Sequence, residues 1–424
     1  MKTKAVRLYG KKDLRLEEFE LPRIDDNQIM ARVVSDSICM STYKETMQGS
    51  DHKRVPGDID KNPIMIGHEF CGEIVEVGSK WSGRFKAGDK FGIQPNIKWP
   101  GTMNGLGAPG YSYPYVGGAA TYIIIPNEVM EQNCLLEYHN DAYFYGSVAE
   151  PMSCIVAAFK ASYHIEENYI HHMGIKEGGN TAILAGVGPM GLGAIDYALH
   201  NDDKRPDRLV VTDIDNTRLK RAESIYTPEK AKKEEGIELI YVNTKELDNP
   251  EEYLMSLTGG EGFDDVFVFA PVRPVIEQGD KILAYDGCLN FFAGPSDNKF
   301  EATINFYDVH YMYHHISGTS GGNTDDMLDS LRLMGNGRVN PTAMITHIGG
   351  LDAAAETTLH LPDIPGGKKL IYTNISLELT ALDDFAEKGK KDPLFEKLAD
   401  IISRHNGLWC SEAEKYLLEN ATAV

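Results

Sequence analysis

From about residue 156 onward the hydrophobic positions fall into short continuous runs. Residues 181–185, 208–212, 237–242, 265–269 and 287–292 are such runs, and the stretches between them are long enough for helices. Strands buried on both faces read as unbroken apolar segments, and their alternation with helices predicts a parallel, doubly wound α/β sheet. Residues 1 to about 155 keep a different rhythm. Strands are predicted at 4–8, 27–36, 70–77 and 120–126, separated by turns, which indicates a compact β-rich domain. Residues 101–118, rich in Gly, Pro and Tyr and without a period, read as a long surface loop. Residues 230–235 read as a solvated, charge-rich helix face. A helix at 325–334, a strand at 369–373 and a charged helical tail at 378–424 complete the pattern. Two domains follow: one formed by 1–157 and completed by 318–424, the other by 158–317.

Composition narrows the class. The chain has 424 residues, 42% hydrophobic and 25% charged, with a net charge of −21. Ordinary globular cores are expected, and the negative charge argues against nucleic acid or an anionic membrane as partner. No apolar run approaches the length of a membrane span. The first residues lead directly into a strand pattern and lack the apolar core of a signal peptide. The six cysteines, at 39, 71, 134, 154, 288 and 410, form no CxxC pair. A disulfide framework is not expected, and a reducing cytoplasm is.

The run at 181–185 is followed by Gly186, Val187, Gly188, Pro189, Met190 and Gly191, a GxGxxG turn that opens a helical stretch. Gly186 permits a tight turn, Gly188 lets a pyrophosphate approach the backbone, and Gly191 lets the helix pack on the strand. The next apolar run ends in Asp213, about twenty residues on, as a dinucleotide site requires. A carboxylate there accepts from a ribose 2′-OH and repels a 2′-phosphate, so NAD(H) is expected over NADP(H). Arg218 and Lys220 lie close enough to soften that preference.

A second constellation lies in the N-terminal part. Cys39 stands in ICMST just after a strand, His68 and Glu69 in IGHEFCGEIVEVG, and Glu150 in VAEPMSC. The GHExxGxIxxxG pattern, the AEPMSC segment and the glycine turn behind them resemble the zinc-dependent medium-chain alcohol and polyol dehydrogenases, over residues 1 to about 375. The resemblance implies a GroES-like catalytic domain, a Rossmann nucleotide-binding domain, and one catalytic zinc held by Cys39, His68 and Glu150, with Glu69 as an alternative ligand. Thiolate, imidazole and carboxylate are all good zinc ligands, and three protein ligands leave a position open for catalysis. Relatives often carry four clustered cysteines for a structural zinc; residues 95–118 hold none, so a single zinc is expected. Relatives also place a histidine after the cysteine ligand in a proton relay. Here Lys44 stands there, while Ser41 keeps the hydroxyl.

The resemblance further implies hydride transfer between a nicotinamide cofactor and a small alcohol or carbonyl, with zinc as Lewis acid, Ser41 passing the proton and Glu69 beside the metal. A Glu as third ligand resembles the sorbitol dehydrogenase-like branch. Within it, chain length, the extended tail, the missing cysteines and the segment SGTSGG at 317–322 are similar to the L-sorbose 1-phosphate reductases, which interconvert a ketose 1-phosphate and a hexitol 6-phosphate. An unphosphorylated polyol or a threonine-type substrate is the alternative, and a non-catalytic binding protein on the same fold the remote one. Lys44, His52, Lys53, Arg54, Lys98 and Arg273 are the basic candidates for a phosphate, each more readily read as a solvated charge. A homo-oligomer, dimer or tetramer, is expected by analogy.

Overall fold

The computed structural model describes residues 1–166 and 169–424 and divides into two compact units, Met1–Glu150 with Ile345–Val424, and Pro151–Met344. Residues 151–157 and 318–344, expected in the first unit, fall in the second. Among the described residues no helix is long and apolar enough to cross a membrane.

The second unit is built on six parallel strands in the order Glu238–Asn243, Arg208–Asp213, Asn180–Leu184, Phe263–Val268, Leu283–Phe291, His315–Gly318. Each of the five apolar runs of this region lies in one of these strands, displaced by a few residues at most. The order reverses beside Asn180–Leu184, the strand that leads into the glycine turn, which is the topological switch point of an open α/β sheet. Pro189 starts the next helix, Pro189–His200, where its missing N–H costs nothing. A two-stranded ribbon, Tyr163–Glu166 with Ile170–Met173, is a feature the apolar pattern does not announce.

The first unit holds an eight-stranded sheet. Its order is Thr380–Ala381, Ile345–Gly350, Lys368–Tyr372, Ile29–Ile38, Phe70–Val77, Lys90–Ile93 and Leu135–Glu137, with Tyr122–Ile125 also pairing Ile29–Ile38. Ile29–Ile38 is the hub. It is buried along nearly its whole length, which is why its alternation is only partial in the sequence. A three-stranded sheet of Asp13–Glu20, Lys2–Gly10 and Ile64–Met65 packs into the same unit.

One expectation for this unit needs correction. The segment 101–118 is irregular, but residues 107–112 and 116–118 are buried, so it is not a surface loop. Glycine explains the burial: Gly110 has φ +77, and a Cβ there would lie 2.0 Å from the Gly67 carbonyl oxygen. The tail is helical as expected, and its helices also bury an apolar face. The helices Pro393–Ser403 and Ser411–Asn420 bury Phe395, Leu398, Ile401 and Leu417, and Trp409 between them is 1% exposed. Residues 230–235 are mostly exposed, although Ala231 is buried and Glu235 pairs with Arg205 at 2.6 Å.

Candidate metal and dinucleotide sites

The hub strand Ile29–Ile38 delivers Cys39 to the N-terminal cap of the helix Met40–Gln48. The Cys39 backbone is extended, and its Sγ accepts from the Ser41 backbone N–H at 3.5 Å. His68 and Glu69 arrive from the neighbouring strand by way of Gly67. At Gly67 φ is +92, and a Cβ would lie 2.9 Å from the Ala119 nitrogen and 2.7 Å from Asp36 Oδ2, so only glycine turns the chain there. The Ser37 N–H donates to the Glu69 carbonyl at 2.9 Å and locks the two segments together. As a result Cys39, His68 and Glu69 each present a ligand atom, all within 4.8 Å of one another.

The electrostatics of this cluster are those of a cation site. Burial, then the charge of Glu69, pushes the Cys39 thiol up to about 12, with Glu150 adding to the rise and Lys368 opposing it. A thiol so placed ionises readily only when a cation joins it, and the thiolate is the metal-binding form. Burial brings His68 down to about 4, so its imidazole is neutral, again the ligating form. Its Nδ1 lies 3.2 Å from Thr42 Oγ1 and its Nε2 lies 3.3 Å from the Tyr111 hydroxyl. One ring nitrogen is thus held whichever binds metal, the usual support of a histidine ligand. The donor set, its burial and its thiol all fit a zinc ion.

Glu69 is 1% exposed and accepts at both oxygens from Lys368 Nζ, each at 2.6 Å. Burial would lower the Lys368 pKa, but Glu69, Cys39 and Glu150 together hold it above its ordinary value. Of the ligands expected from the sequence, the structure groups Cys39, His68 and Glu69. Glu150, half-buried in the first turn of the helix Ala149–Ala161, lies outside that group, although its charge reaches Cys39, Tyr111 and Lys368. Ser41 is half-buried in the first helical turn, two residues from Cys39, and Lys44 is half-buried one turn on.

Sequence reasoning missed Lys368, Tyr111 and Thr42. Lys368 left one signal, two lysines opening an otherwise apolar strand. Tyr111 was hidden in the segment read as surface loop, and Thr42 left no signal at all.

In the second unit the glycines of the turn differ in what surrounds them, and the left-handed residue of the turn is Ala185, φ +52, rather than Gly186. A Cβ on Gly191 would lie 2.1 Å from the Gly186 carbonyl oxygen, and one on Gly186 would lie 2.3 Å from Ile183 Cγ2, so both are packing glycines. Gly188 is different: a Cβ there would meet nothing within 4 Å. It caps the helix Pro189–His200 with half-exposed Pro189 and Met190 beside it, and buried Val187 precedes it. That open backbone is a cradle of the kind a pyrophosphate occupies. Asp213 is half-buried at the end of its strand, and its Oδ1 accepts from the Ile214 and Asp215 N–H groups at 2.8 and 3.1 Å. Arg218 is exposed, with Nε 3.9 Å from Asp215.

Comparison with known proteins follows the same two-part division. Residues 25–133 match the alcohol dehydrogenase GroES-like domain, and residues 189–336 match the zinc-binding dehydrogenase domain. The chain is 53% identical over 418 residues to a mannitol-1-phosphate 5-dehydrogenase of Aliivibrio fischeri, covering 98% of this chain and 97% of that one. It is 51% identical over 423 residues to an L-sorbose 1-phosphate reductase of Klebsiella pneumoniae, covering 100% and 98%. Among solved structures, the fold is that of 2R,3R-butanediol dehydrogenase from Bacillus subtilis, with TM-score 0.71, 22% identity and coverage of 88% of this chain and 100% of that one. The protein belongs to the zinc-binding medium-chain alcohol and polyol dehydrogenase family.

Proposed function

We propose that the protein reduces a ketose phosphate with a nicotinamide cofactor, the substrate being L-sorbose 1-phosphate and the product D-glucitol 6-phosphate. The observation that carries this reading is the Cys39–His68–Glu69 cluster, two members buried and Cys39 half-buried, in a chain that matches two sugar-phosphate oxidoreductases over nearly its whole length. One zinc per chain would be held by Cys39 and His68 with a carboxylate from Glu150 or Glu69, and when bound it would supply Lewis-acid polarisation of a carbonyl. The hydride is the cofactor's.

The chain's own residues then have definite tasks. Thr42 and Tyr111 hold the neutral His68 ring. Lys368 balances Glu69, so the cluster does not gather two uncompensated carboxylates. Ser41 passes a proton from solvent to the reduced oxygen, giving up its own and taking one back. Gly186, Val187, Gly188, Pro189, Met190 and Gly191 seat the pyrophosphate, and the Asp213 carboxylate favours NAD(H) over NADP(H) by accepting from the ribose 2′-OH and repelling a 2′-phosphate. Arg218, exposed and 3.9 Å from Asp215, softens that preference. A homo-oligomer in the cytoplasm remains part of this reading, by analogy with relatives.

A second reading, mannitol 1-phosphate as the physiological substrate, is favoured by the 53% identity to the Aliivibrio protein. The test is NADH and NADPH oxidation with L-sorbose 1-phosphate and fructose 6-phosphate, with sorbose and fructose as controls, before and after chelation. Chelator-sensitive turnover of L-sorbose 1-phosphate above the others supports the proposal. Preference for fructose 6-phosphate moves the protein to the second reading, and equal turnover of the plain sugars overturns both.

A further inference from the structure

A buried carboxyl group and a guanidinium stand beside the metal cluster without a hydrogen bond between them. Glu45 is 0% exposed, and neither of its carboxyl oxygens has a hydrogen-bond partner. It lies one helical turn after Thr42 on Met40–Gln48, the i, i+3 relation that puts the two side chains on one face, and Thr42 contacts His68. Arg54 is half-buried. Its Nη1 donates to the Leu106 carbonyl at 3.3 Å, and no carboxylate of the described residues lies within ion-pair distance of it. In a chain with 63 acidic and 42 basic residues, a half-buried guanidinium with no carboxylate partner calls for an explanation.

Tyr111 joins these groups to the cluster. Its ring centroid lies 4.7 Å from that of His68 and 5.5 Å from the Arg54 guanidinium carbon, while His52 stacks on it at 5.7 Å. Its phenol also feels the Glu45 charge. In L-sorbose 1-phosphate the phosphate is on the carbon next to the carbonyl, so a carbonyl held at the cluster leaves the phosphate close to it, on the Tyr111 side where Arg54 stands, and leaves the other four carbons to run elsewhere. A buried carboxyl group without partners costs several kcal/mol in a dry interior, and a ligand hydroxyl removes that cost. A guanidinium fork matches a phosphate in the same way.

We infer that Arg54 and Glu45 divide a phosphorylated polyol between them: the Arg54 guanidinium binds the phosphate, and the Glu45 carboxyl group hydrogen-bonds a hydroxyl of the carbon chain. This rests on the reading of the site as a sugar-phosphate reductase and names the residues that recognise the two halves of its substrate. Both are specificity-determining residues. His52, which burial brings to about 4, is a neutral ring that packs rather than a second cation.

The experiment compares kcat and KM for L-sorbose 1-phosphate and for L-sorbose in the zinc-loaded enzyme and in Arg54→Gln, Arg54→Lys and Glu45→Gln, with zinc content measured on each. Wild-type enzyme without a preference for the phosphate ester would sink the underlying functional reading before any variant is made. Given that preference, Arg54→Gln lowers the ratio of kcat/KM between ester and plain ketose on the order of 10- to 100-fold, the worth of a charge-assisted contact, and Arg54→Lys falls between. Glu45→Gln lowers kcat/KM for both substrates and leaves their ratio alone. An unchanged ratio in Arg54→Gln, or wild-type kinetics in Glu45→Gln, overturns the assignment. If the variants do not fold, phenylglyoxal modification of Arg54 in the wild-type enzyme, mapped by mass spectrometry, replaces them. D-glucitol 6-phosphate protects Arg54 and D-glucitol does not; equal labelling with either overturns the proposal.

Discussion

Glu414 ties the C-terminal tail to the first unit, and its replacement should loosen that unit in a pH-dependent way. The carboxylate is 2% exposed. Oε1 accepts from the Tyr143 N–H at 2.5 Å, and Oε2 accepts from the Phe144 N–H and the Tyr372 hydroxyl, each at 2.8 Å. It therefore caps the short helix Phe144–Ser147 from the far end of the chain. Burial lifts its pKa from 4.5 to about 7, against the three hydrogen bonds that lower it. Between those values the folded state holds a proton that the unfolded chain has released. The associated stability is complete below the unfolded pKa of 4.5 and is lost as pH rises through 7, a range of about 3 kcal/mol. Glu414→Gln keeps one acceptor and turns an amide N–H₂ toward donors, so it costs about 2–4 kcal/mol at pH 5 and removes the slope. Hydrogen exchange of the 143–148 amides, followed from pH 5 to pH 8 and corrected for intrinsic rates, reads this directly. Wild-type protection that stays flat over that range, or a slope that survives in the variant, would refute the reasoning.

Three further outcomes are expected. Gly188→Ala keeps the folded stability within about 1 kcal/mol, because a Cβ there meets nothing within 4 Å, yet it weakens NADH binding about tenfold or more by filling the phosphate cradle. Calorimetric titration beside a thermal melt separates the two, and unaltered NADH affinity removes the cradle. Asp213→Asn keeps the Oδ1 acceptor that holds the turn to Ile214 and Asp215 but loses the charge, so the NADH-to-NADPH ratio of kcat/KM falls about tenfold or more; an unchanged ratio contradicts the assigned role. Cys39→Ser loses zinc and turnover together, and chelation of the wild-type enzyme does the same with recovery on zinc addition. A variant that turns over without zinc would end the metal mechanism.

Much of the second unit was legible because its strands are buried on both faces, so each reads as a local apolar run. The glycine turn was legible for a related reason. Gly186 answers to the Ile183 side chain and Gly191 to the Gly186 carbonyl, neighbours within a few residues in the chain, which spacing alone encodes. Cys39, His68, Glu69 and Glu150 stood out through their motifs, but nothing local says which carboxylate joins the thiol and the imidazole. The sheet that brings Cys39 beside His68 does that, by pairing Ile29–Ile38 with Phe70–Val77, and the structure gathers Glu69 where motif order favoured Glu150. Lys368 reaches Glu69 from 299 residues away because Lys368–Tyr372 pairs with the same hub strand. Tyr111 reaches His68 because Gly110 lets an irregular segment lie flush against Gly67. The sequence by itself determined most of the elements, the glycine fingerprint and the inventory of candidate ligands, since these depend on local periodicity and residue chemistry. Only the tertiary structure decided which ionisable groups are buried together and which, like Glu45 and Arg54, find no ion-pair partner among the described residues, because burial and pairing depend on contacts between segments far apart in the chain.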